Sequence, residues 1–174
     1  MPFIYITGAP GSGKSTLQKE LTKSRFEVYD IDSPQFGGAH NKASGEKVVI
    51  PPSEERTDNW FKQHEWRIYR DAFEKLKKES AEKLIIICGV AESDKDITDL
   101  FDNILYLKID DDELTRRIST RTDNDYGKND FELKEIMRRK HALDDRYTDS
   151  DNIHLVDASG TLNSVVNKII SHIQ

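Results

Sequence analysis

The chain has 174 residues, with 32 acidic and 26 basic side chains and a formal net charge of -6. This length suits one domain around one core, and the acidic balance disfavours general binding of nucleic acid or of an anionic membrane surface. The single cysteine, Cys88, excludes an intrachain disulfide, and every apolar run is far shorter than the roughly 20 residues of a membrane-spanning helix.

The N-terminal residues indicate the expected location of the protein. They lead directly into an apolar run without a preceding basic segment, which is not the pattern of a signal peptide. We therefore expect a cytoplasmic protein with neither nucleic acid nor a membrane among its partners. We also expect a monomer or a weak homodimer.

Strand-like and helix-like patterns alternate along the chain. Short apolar or β-branched runs predict strands at residues 3–7, 27–32, 83–88, 103–109 and 153–156. Helical spacing of apolar residues predicts helices at residues 14–21, 60–78, 113–121, 131–147 and 162–173. Because strands that alternate with helices form parallel sheets, we expect an α/β fold with helices on both faces of one sheet.

The sequence GAPGSGKS at residues 8–15 fits the pattern GxxxxGK[ST] between a predicted strand and a predicted helix. Its glycines permit backbone angles that turn amide groups inward, and the following helix adds its N-terminal dipole. Lys14 supplies a cation for the terminal phosphates, and Ser15 supplies a hydroxyl for Mg2+. The pattern predicts a nucleotide phosphate site formed by Gly8, Ala9, Pro10, Gly11, Ser12, Gly13, Lys14, Ser15 and Thr16.

Two carboxylates follow the second predicted strand. Asp30 and Asp32 lie at its carboxyl end, which is the edge of a parallel sheet where ligands bind. One of them could serve the Mg2+ shell, and the other could accept a proton from an attacking hydroxyl. The alternative is a pair of solvated acids that cap the following segment.

The helix predicted at residues 113–121 carries arginines on its apolar stripe. Leu114, Arg117, Ile118 and Arg121 are spaced at i, i+3, i+4 and i+7, so all four face the body of the protein. Arginines that point inward in an acidic protein need an anionic partner, and a transferring phosphoryl group would provide one. Structural ion pairing with Asp or Glu is the alternative.

Two irregular stretches are rich in Gly, Pro, Ser, Asn or Asp. The stretch at residues 33–59 exceeds the about 12–15 residues of ordinary loops, so we expect it to be a functional flap. The stretch at residues 122–130 lies between two predicted helices, as a lid would. Either Arg138 or Arg139 on the next helix could close over the same phosphates.

Residues 33–78 are the expected acceptor-binding region. Arginines and aromatic residues there could clamp a monophosphate and stack its base, although the aromatic residues also suit a core. Arg67 and Arg70, three residues apart, would share a helix face. The candidate substrate-binding residues are Asp32, Arg56, Arg67 and Arg70.

In element order the chain resembles the small P-loop kinases, which include adenylate kinase and its nucleoside monophosphate kinase relatives, shikimate kinase and gluconate kinase. GAPGSGKST is similar to their phosphate loop, FEVYDID to the strand and Asp-x-Asp of shikimate kinase, and LYLKIDDDELTRRISTR to the pre-lid helix region of adenylate kinases. The resemblance implies a P-loop NTPase three-layer sandwich. Its five-stranded parallel sheet would have the order 2-3-1-4-5, with a short mobile lid.

The resemblance also implies roles for individual residues. Asp30 would serve Mg2+ and Asp32 the acceptor hydroxyl, while Arg117 would stack near the adenine and Arg121 would contact phosphates. VDASGTLNSVVNKI is similar to the last strand, adenine-side loop and final helix of these kinases. The residues beside the base would then be Asp157, Ala158 and Ser159.

The phosphoryl acceptor stays open at this point. CGVAESD after the third strand lacks the Asp-Gly-Phe-Pro-Arg of adenylate kinase and the glycine run of shikimate kinase. The Asp-Arg-Tyr at residues 145–147 is not where thymidylate kinase has such a sequence, so we expect no role for it. We predict one kinase domain over residues 1–174 that uses ATP and Mg2+. Its partner would be a small-molecule acceptor, either a nucleoside monophosphate or a small hydroxylated metabolite.

Two other functions are possible for a phosphate loop. The chain could be an acceptor-independent ATPase, but the strand at residues 83–88 ends without the acid that such a switch needs. It could be a nucleotide-binding regulatory module, but the presence of Lys14, Ser15, Asp30 and Asp32 favours catalysis.

Overall fold

The computed structural model describes residues 1–52, 55, 57–91, 93–122 and 127–173. In chain order the elements are β1 (Phe3–Gly8), α1 (Lys14–Lys23), β2 (Glu27–Asp30), β3 (Gly37–Asn41), α2 (Asp58–Gln63), β4 (His64–Ile68), α3 (Arg70–Glu79), β5 (Ile85–Cys88), β6 (Asn103–Lys108), α4 (Asp111–Thr120), α5 (Asp130–Arg146), β7 (Ile153–Asp157) and α6 (Leu162–Ile173). Two short 3-10 helices, Asp94–Asp96 and Thr98–Leu100, lie between β5 and β6.

Five strands form one parallel sheet in the order β2-β5-β1-β6-β7. This order differs from the predicted 2-3-1-4-5 only because β3 and β4, which lie outside the sheet, enter the numbering. The central strand β1 pairs with both β5 and β6, so that Ile6 lies beside Cys88 on one side and Leu105 on the other. The phosphate loop therefore leaves the sheet at its centre, at the carboxyl ends of the strands.

Alternate residues of β1 face two separate apolar layers. Ile4 and Ile6 belong to a layer closed by α1, α4 and α6, whereas Phe3 and Tyr5 belong to a layer closed by α3 and the end of α5. All four side chains are fully buried. A parallel sheet covered on both faces is the expected three-layer sandwich, and this prediction is confirmed. Cys88 is buried, as its apolar surroundings in the sequence indicate.

The prediction of one continuous helix over residues 60–78 is wrong. The chain there forms α2, then β4, then α3, and β4 pairs antiparallel with β3, which lies inside the stretch predicted to be irregular. Trp66 lies opposite Ala39 in this hairpin. The spacing of Trp66, Tyr69 and Phe73 resembles a helix face, but the aromatic and β-branched residues of β4 also favour a strand, and pairing with β3 decides the outcome.

Among the described residues, no helix is both long enough and apolar enough to cross a membrane.

Candidate active site

Two glycines with a positive φ angle shape the phosphate loop. Gly11 has φ of 89° and Gly13 has φ of 100°, a region that other residues rarely adopt. Gly13 is also the N-cap of α1, and its carbonyl accepts the first helical hydrogen bond, from Leu17 N, at 3.0 Å. The loop thus delivers the chain directly into a helix N-terminus, which favours anions.

Lys14 folds back over the loop. Its Nζ donates to the carbonyl oxygens of Gly8 at 2.7 Å and Ala9 at 2.8 Å. Burial lowers the pKa of Lys14 to about 8, against the opposing effects of the nearby Cys88 thiol and the Asp32 carboxylate. The ammonium is therefore poorly solvated, and a phosphate beside it would stabilise its charge.

A cleft of about 690 Å³ opens beside the loop. It is bounded by the phosphate loop and the start of α1, by Asp32, by Arg117 and Arg121, and by Ala158 and Gly160. At least one residue from each predicted set, for phosphate, acceptor hydroxyl and adenine contacts, thus lines this cavity. In the phosphate loop, the Asp pair and the loop after β7, the predicted residues outside its described lining are Gly8, Ala9, Asp30, Asp157 and Ser159. Its size lies within the range of about 300–1,000 Å³ that is typical of small-molecule sites.

Arg117 joins the two sides of this cleft. Its Nε donates to Glu113 at 2.7 Å, while Nη1 donates to the carbonyl of Ser12 at 3.3 Å and Nη2 to the carbonyl of Ala158 at 2.7 Å. Arg117 is therefore held by Glu113 between the phosphate loop and the loop after β7. Arg121 lies at the C-cap of α4 and lines the same cleft.

Asp30 and Asp32 form a small turn rather than a continued strand. The amide of Asp32 donates to Oδ1 of Asp30 at 2.9 Å, and Asp32 lines the cleft. Partial burial in the cleft, and then repulsion from the Asp30 carboxylate, raise the pKa of Asp32, and Lys14 opposes that rise. A carboxylate with a raised pKa is a better proton acceptor than an ordinary one.

The loop after β7 is fixed by its own acid. Asp157 accepts hydrogen bonds from the amide of Ser159 at 3.0 Å and from Lys168 at 2.8 Å, and the pKa of Asp157 falls to about 2, chiefly because of Lys168. The amide of Ala158 donates to the carbonyl of Lys108 at 2.8 Å. Asp157 thus shapes the loop, and Ala158 is the residue of this group that lines the cleft.

A second cavity of about 330 Å³ lies on the other side of Pro10, which lines both cavities. Val90 and Ala91, which follow β5, form one wall, and a stripe of α5 forms the other. The α5 residues that line it are Arg138, Arg139, Ala142, Leu143 and Arg146. Glu135 accepts hydrogen bonds from both Arg138 and Arg139 at 2.8 Å.

One known protein family matches this chain over most of its length. The profile of the family described as AAA domain matches residues 4–138, which is most of the chain. The chain belongs to this family. A search of curated proteins finds no significant match to the chain.

Solved structures share the fold over nearly the whole chain. Shikimate kinase from Bacteroides thetaiotaomicron has a TM-score of 0.58 at 19% identity, covering 99% of this chain and 98% of its own. A gluconokinase from Sinorhizobium meliloti 1021 has a TM-score of 0.57 at 13% identity, covering 98% and 90%. A deoxyadenosine kinase from M. mycoides, solved with bound dATP, has a TM-score of 0.55 at 16% identity, covering 98% of both chains. The chain therefore has the fold of the small P-loop kinases.

Two of the predicted substrate-binding arginines, Arg67 and Arg70, lie away from both cavities. Arg67 is on β4, where its Nε donates to Glu65 at 2.7 Å, and Arg70 begins α3, where it binds Asp99 and Glu74. Because a strand replaces the predicted helix, these two arginines do not share a helix face. Among the described residues, neither belongs to the lining of the two cavities.

Two predictions fall on residues that the structure does not describe. Arg56 and lid residues 123–126 lie outside the described ranges, and the roles assigned to them stay predictions. Of the predicted lid, Thr122 and residues 127–130 are described. The amide of Gly127 donates to Glu132 at 2.7 Å, so this end of the lid is tied to the start of α5.

The sequence analysis missed several residues of the two cavities. Arg116 and Thr120 line the nucleotide cleft, and Arg146 lines the second cavity. A usable signal exists for Arg146, because Arg139 and Arg146 are seven residues apart and lie on one face of a helix. The Asp-Arg-Tyr at residues 145–147, which we expected to have no role, contains this arginine.

Proposed function

We propose that the chain is a kinase that uses ATP and Mg2+ to phosphorylate a nucleoside monophosphate or a small hydroxylated metabolite. The observation that carries this proposal is the pair of cavities that meet at Pro10. A phosphoryl transferase must hold a donor and an acceptor side by side, whereas a simple ATPase needs only the nucleotide cleft and water. The kinase names of the structures that share this fold support the same interpretation.

The nucleotide would bind with its phosphates in the loop at residues 8–16. Lys14 would turn from the carbonyls of Gly8 and Ala9 to the terminal phosphates, and Arg121 would neutralise charge that develops on the transferring group. Arg117, held against Ala158, would flank the base. Asp32, in the same cleft, would accept the proton of the acceptor hydroxyl.

The side chains near the loop suit a hard cation. Ser15, Asp30 and Asp32 offer hydroxyl and carboxylate oxygens, the ligand type that Mg2+ prefers. Ser15 and Asp30 would hold Mg2+, which when bound neutralises charge on the phosphates. Within the described ranges, no group of three or more His, Cys, Asp or Glu side chains is placed to hold a metal. Such a site would rely on the phosphates for its remaining ligands, as Mg2+ sites in kinases do.

The test is ATP consumption with Mg2+ in the presence of different acceptors. The panel contains nucleoside monophosphates, deoxynucleosides, shikimate, gluconate and neutral polyols, with the Lys14→Ala variant as the blank. We expect one acceptor class to stimulate ATP consumption at least about tenfold over the acceptor-free rate, because a bound acceptor holds its hydroxyl in position for attack and water is not held in this way. Asp32→Asn should lower that rate about 100-fold and leave ATP affinity within about threefold of wild type.

The possible outcomes separate the candidate functions. Equal ATP loss with and without every acceptor would support the ATPase and contradict the kinase. Tight ATP binding without turnover would support the regulatory module. Full transfer by both Lys14→Ala and Asp32→Asn would show that the phosphate loop and its neighbouring acid are not the catalytic site.

A further inference from the structure

Asp94 is a carboxylate with no exposed surface, on the short helix Asp94–Asp96 that follows β5. Its Oδ1 accepts a hydrogen bond from Nη1 of Arg146 at 2.6 Å. Its Oδ2 accepts from the hydroxyl of Tyr147 at 2.9 Å and from the hydroxyl of Tyr5 at 3.2 Å. A buried carboxylate is costly unless it is fully partnered, and these three donors come from β1 and the end of α5.

The consequence of this network is a fixed Arg146. The Arg146 side chain is 39% exposed, and it lines the second cavity while Nη1 is bound to Asp94. A guanidinium has five N–H donors, so the bond to Asp94 orients the group and leaves donors for another anion. Tyr147 follows Arg146 in sequence and binds the other oxygen of the same carboxylate, which limits rotation of the whole group.

The rest of the second cavity indicates the size and chemistry of its ligand. Its volume is about 330 Å³, roughly half that of the nucleotide cleft. Among the described residues that line it, three are arginines and none is aromatic. Guanidinium groups bind carboxylates and phosphates through paired N–H donors, so a lining with three arginines suits an anionic ligand.

We propose that Arg146 binds an anionic group of the phosphoryl acceptor, a carboxylate or a phosphate, and that Asp94 is the residue that positions Arg146 for this. The inference rests on the proposed function, because it takes the second cavity as the acceptor site. Pro10 separates the two cavities, so an anion held at Arg146 would leave the rest of a compact acceptor near the phosphate loop. Arg146 and Asp94 thus select the acceptor without contacting the nucleotide.

Anion binding to the full chain tests this proposal without requiring turnover. The nucleotide cleft is first saturated with Mg2+ and a non-hydrolysable ATP analogue, whose affinity is recorded. Inorganic phosphate and acetate are then titrated separately by calorimetry and by NMR of the arginine Nε–H groups. We expect one of them to bind, because Arg146 offers donors to an anion in a cavity that the nucleotide does not fill. Preference for phosphate would indicate a phosphorylated acceptor, and preference for acetate a hydroxy acid.

Substitutions then assign the site. We expect Arg146→Met to weaken anion binding at least about tenfold, and Asp94→Asn and Tyr147→Phe to weaken it about threefold or more, with the affinity for the ATP analogue unchanged. Tyr147→Phe removes a single hydroxyl and covers the case in which Asp94→Asn does not fold. The control is Lys23→Met, which removes an exposed cation at the far end of α1 that pairs with Glu20.

Two results would overturn the proposal. One is that neither anion binds wild-type protein whose nucleotide cleft is full, and the other is that Arg146→Met retains wild-type anion affinity. Failure of the ATP analogue to bind would instead contradict the proposed function. Once an acceptor is known, kinetics of Asp94→Asn separate two roles for Asp94. If Asp94 is purely structural, the substitution lowers thermal stability without raising the acceptor KM. If Asp94 positions Arg146, the substitution raises the acceptor KM and leaves the KM for ATP constant.

Discussion

The two cavities on either side of Pro10 are built in different ways. The nucleotide cleft depends on nine consecutive residues, 8–16, whose backbone conformation and helix N-terminus form the phosphate site. The second cavity is formed by side chains from three separate segments: the phosphate loop, the residues after β5 and a stripe of α5. Its arginines are oriented by carboxylates, Glu135 and the buried Asp94.

This difference has a physical consequence for function. In the nucleotide cleft, backbone amides bind the phosphates, and their positions depend on the conformation of the whole loop. Few substitutions in the loop are therefore compatible with phosphate binding. Side chains can be replaced one at a time without altering the sheet, so the second cavity can be adapted to a different acceptor. We therefore expect substitutions in the loop to weaken nucleotide binding strongly, and substitutions around the second cavity to leave nucleotide binding intact.

The largest effect should come from Gly13→Ala. Gly13 has φ of 100°, and a Cβ there would meet Arg117 Nη1 at 3.6 Å, so the obstacle is backbone conformation rather than space. We expect ATP affinity to fall about 100-fold as the amides turn away from the phosphates, measured by calorimetry with Mg2+ and the non-hydrolysable ATP analogue.

Gly45→Ala is the matched control for that change. Gly45 also has positive φ, 73°, but follows β3 and lies outside the lining of the nucleotide cleft. Both variants should lose about 1–2 kcal/mol of stability, because both force a left-handed conformation on alanine. Equal losses of ATP affinity in the two variants would mean that general destabilisation, not loop geometry, is responsible.

A smaller effect should follow Arg117→Met. The substitution removes the bonds to the carbonyls of Ser12 and Ala158, which join the phosphate loop to the loop after β7. We expect the KM for ATP to rise about tenfold with a lesser change in kcat, because charge-assisted hydrogen bonds of this kind are worth about 1.5–3 kcal/mol.

Arg116→Met provides the comparison for Arg117. Arg116 pairs with the same acid, Glu113, but its side chain is 63% exposed. We expect it to change the KM for ATP less than about threefold. If both variants behave alike, charge near the cleft matters and the bridge made by Arg117 does not.

Some features of the fold and of the candidate site can be predicted from the sequence, and others cannot. The phosphate loop was predictable because its function depends on consecutive residues, and the sheet was predictable because apolar runs alternate with helical spacing. The hairpin of β3 and β4 was not, because partner strands decide between helix and strand for short aromatic segments. The sequence places Arg146 on the same helix face as Arg139, but it does not show the contact with Asp94, 52 residues away, which orients Arg146 only in the fold.

The next prediction concerns the pH dependence of ATP affinity, which depends on the charge of Lys14. Burial lowers its pKa to about 8, so the ammonium is present below that pH and is lost above it. Phosphate binding needs the charged form, so we expect ATP affinity to fall up to about tenfold per pH unit above pH 8. Calorimetry at pH 8.5 in two buffers of different ionisation enthalpy should show proton uptake on binding.

The stability of the nucleotide-free protein should rise with pH, whereas its ATP affinity falls. The folded state holds the Lys14 proton less tightly than the unfolded state, whose lysine has its ordinary pKa of 10.5. Between about pH 8 and 10.5 the unfolded state therefore binds more protons, and the nucleotide-free protein gains stability as pH rises. Lys14→Met should lack both this gain and the proton uptake. If the variant keeps the same pH dependence, another group is titrating.

The smallest effect should come from Arg70→Met. Arg70 was a candidate for substrate binding, but its Nη2 binds Asp99 at 2.6 Å and its Nε binds Glu74 at 2.9 Å. Exposed ion pairs contribute little, so we expect the melting temperature to fall less than about 2 °C, and this difference should vanish in 1 M NaCl. The acceptor KM should stay unchanged, because Arg70 is outside the described lining of the second cavity. A rise in acceptor KM comparable with that of Arg146→Met would move the acceptor from the arginine stripe of α5 to the region around residues 33–78. The second cavity would then not be the acceptor site.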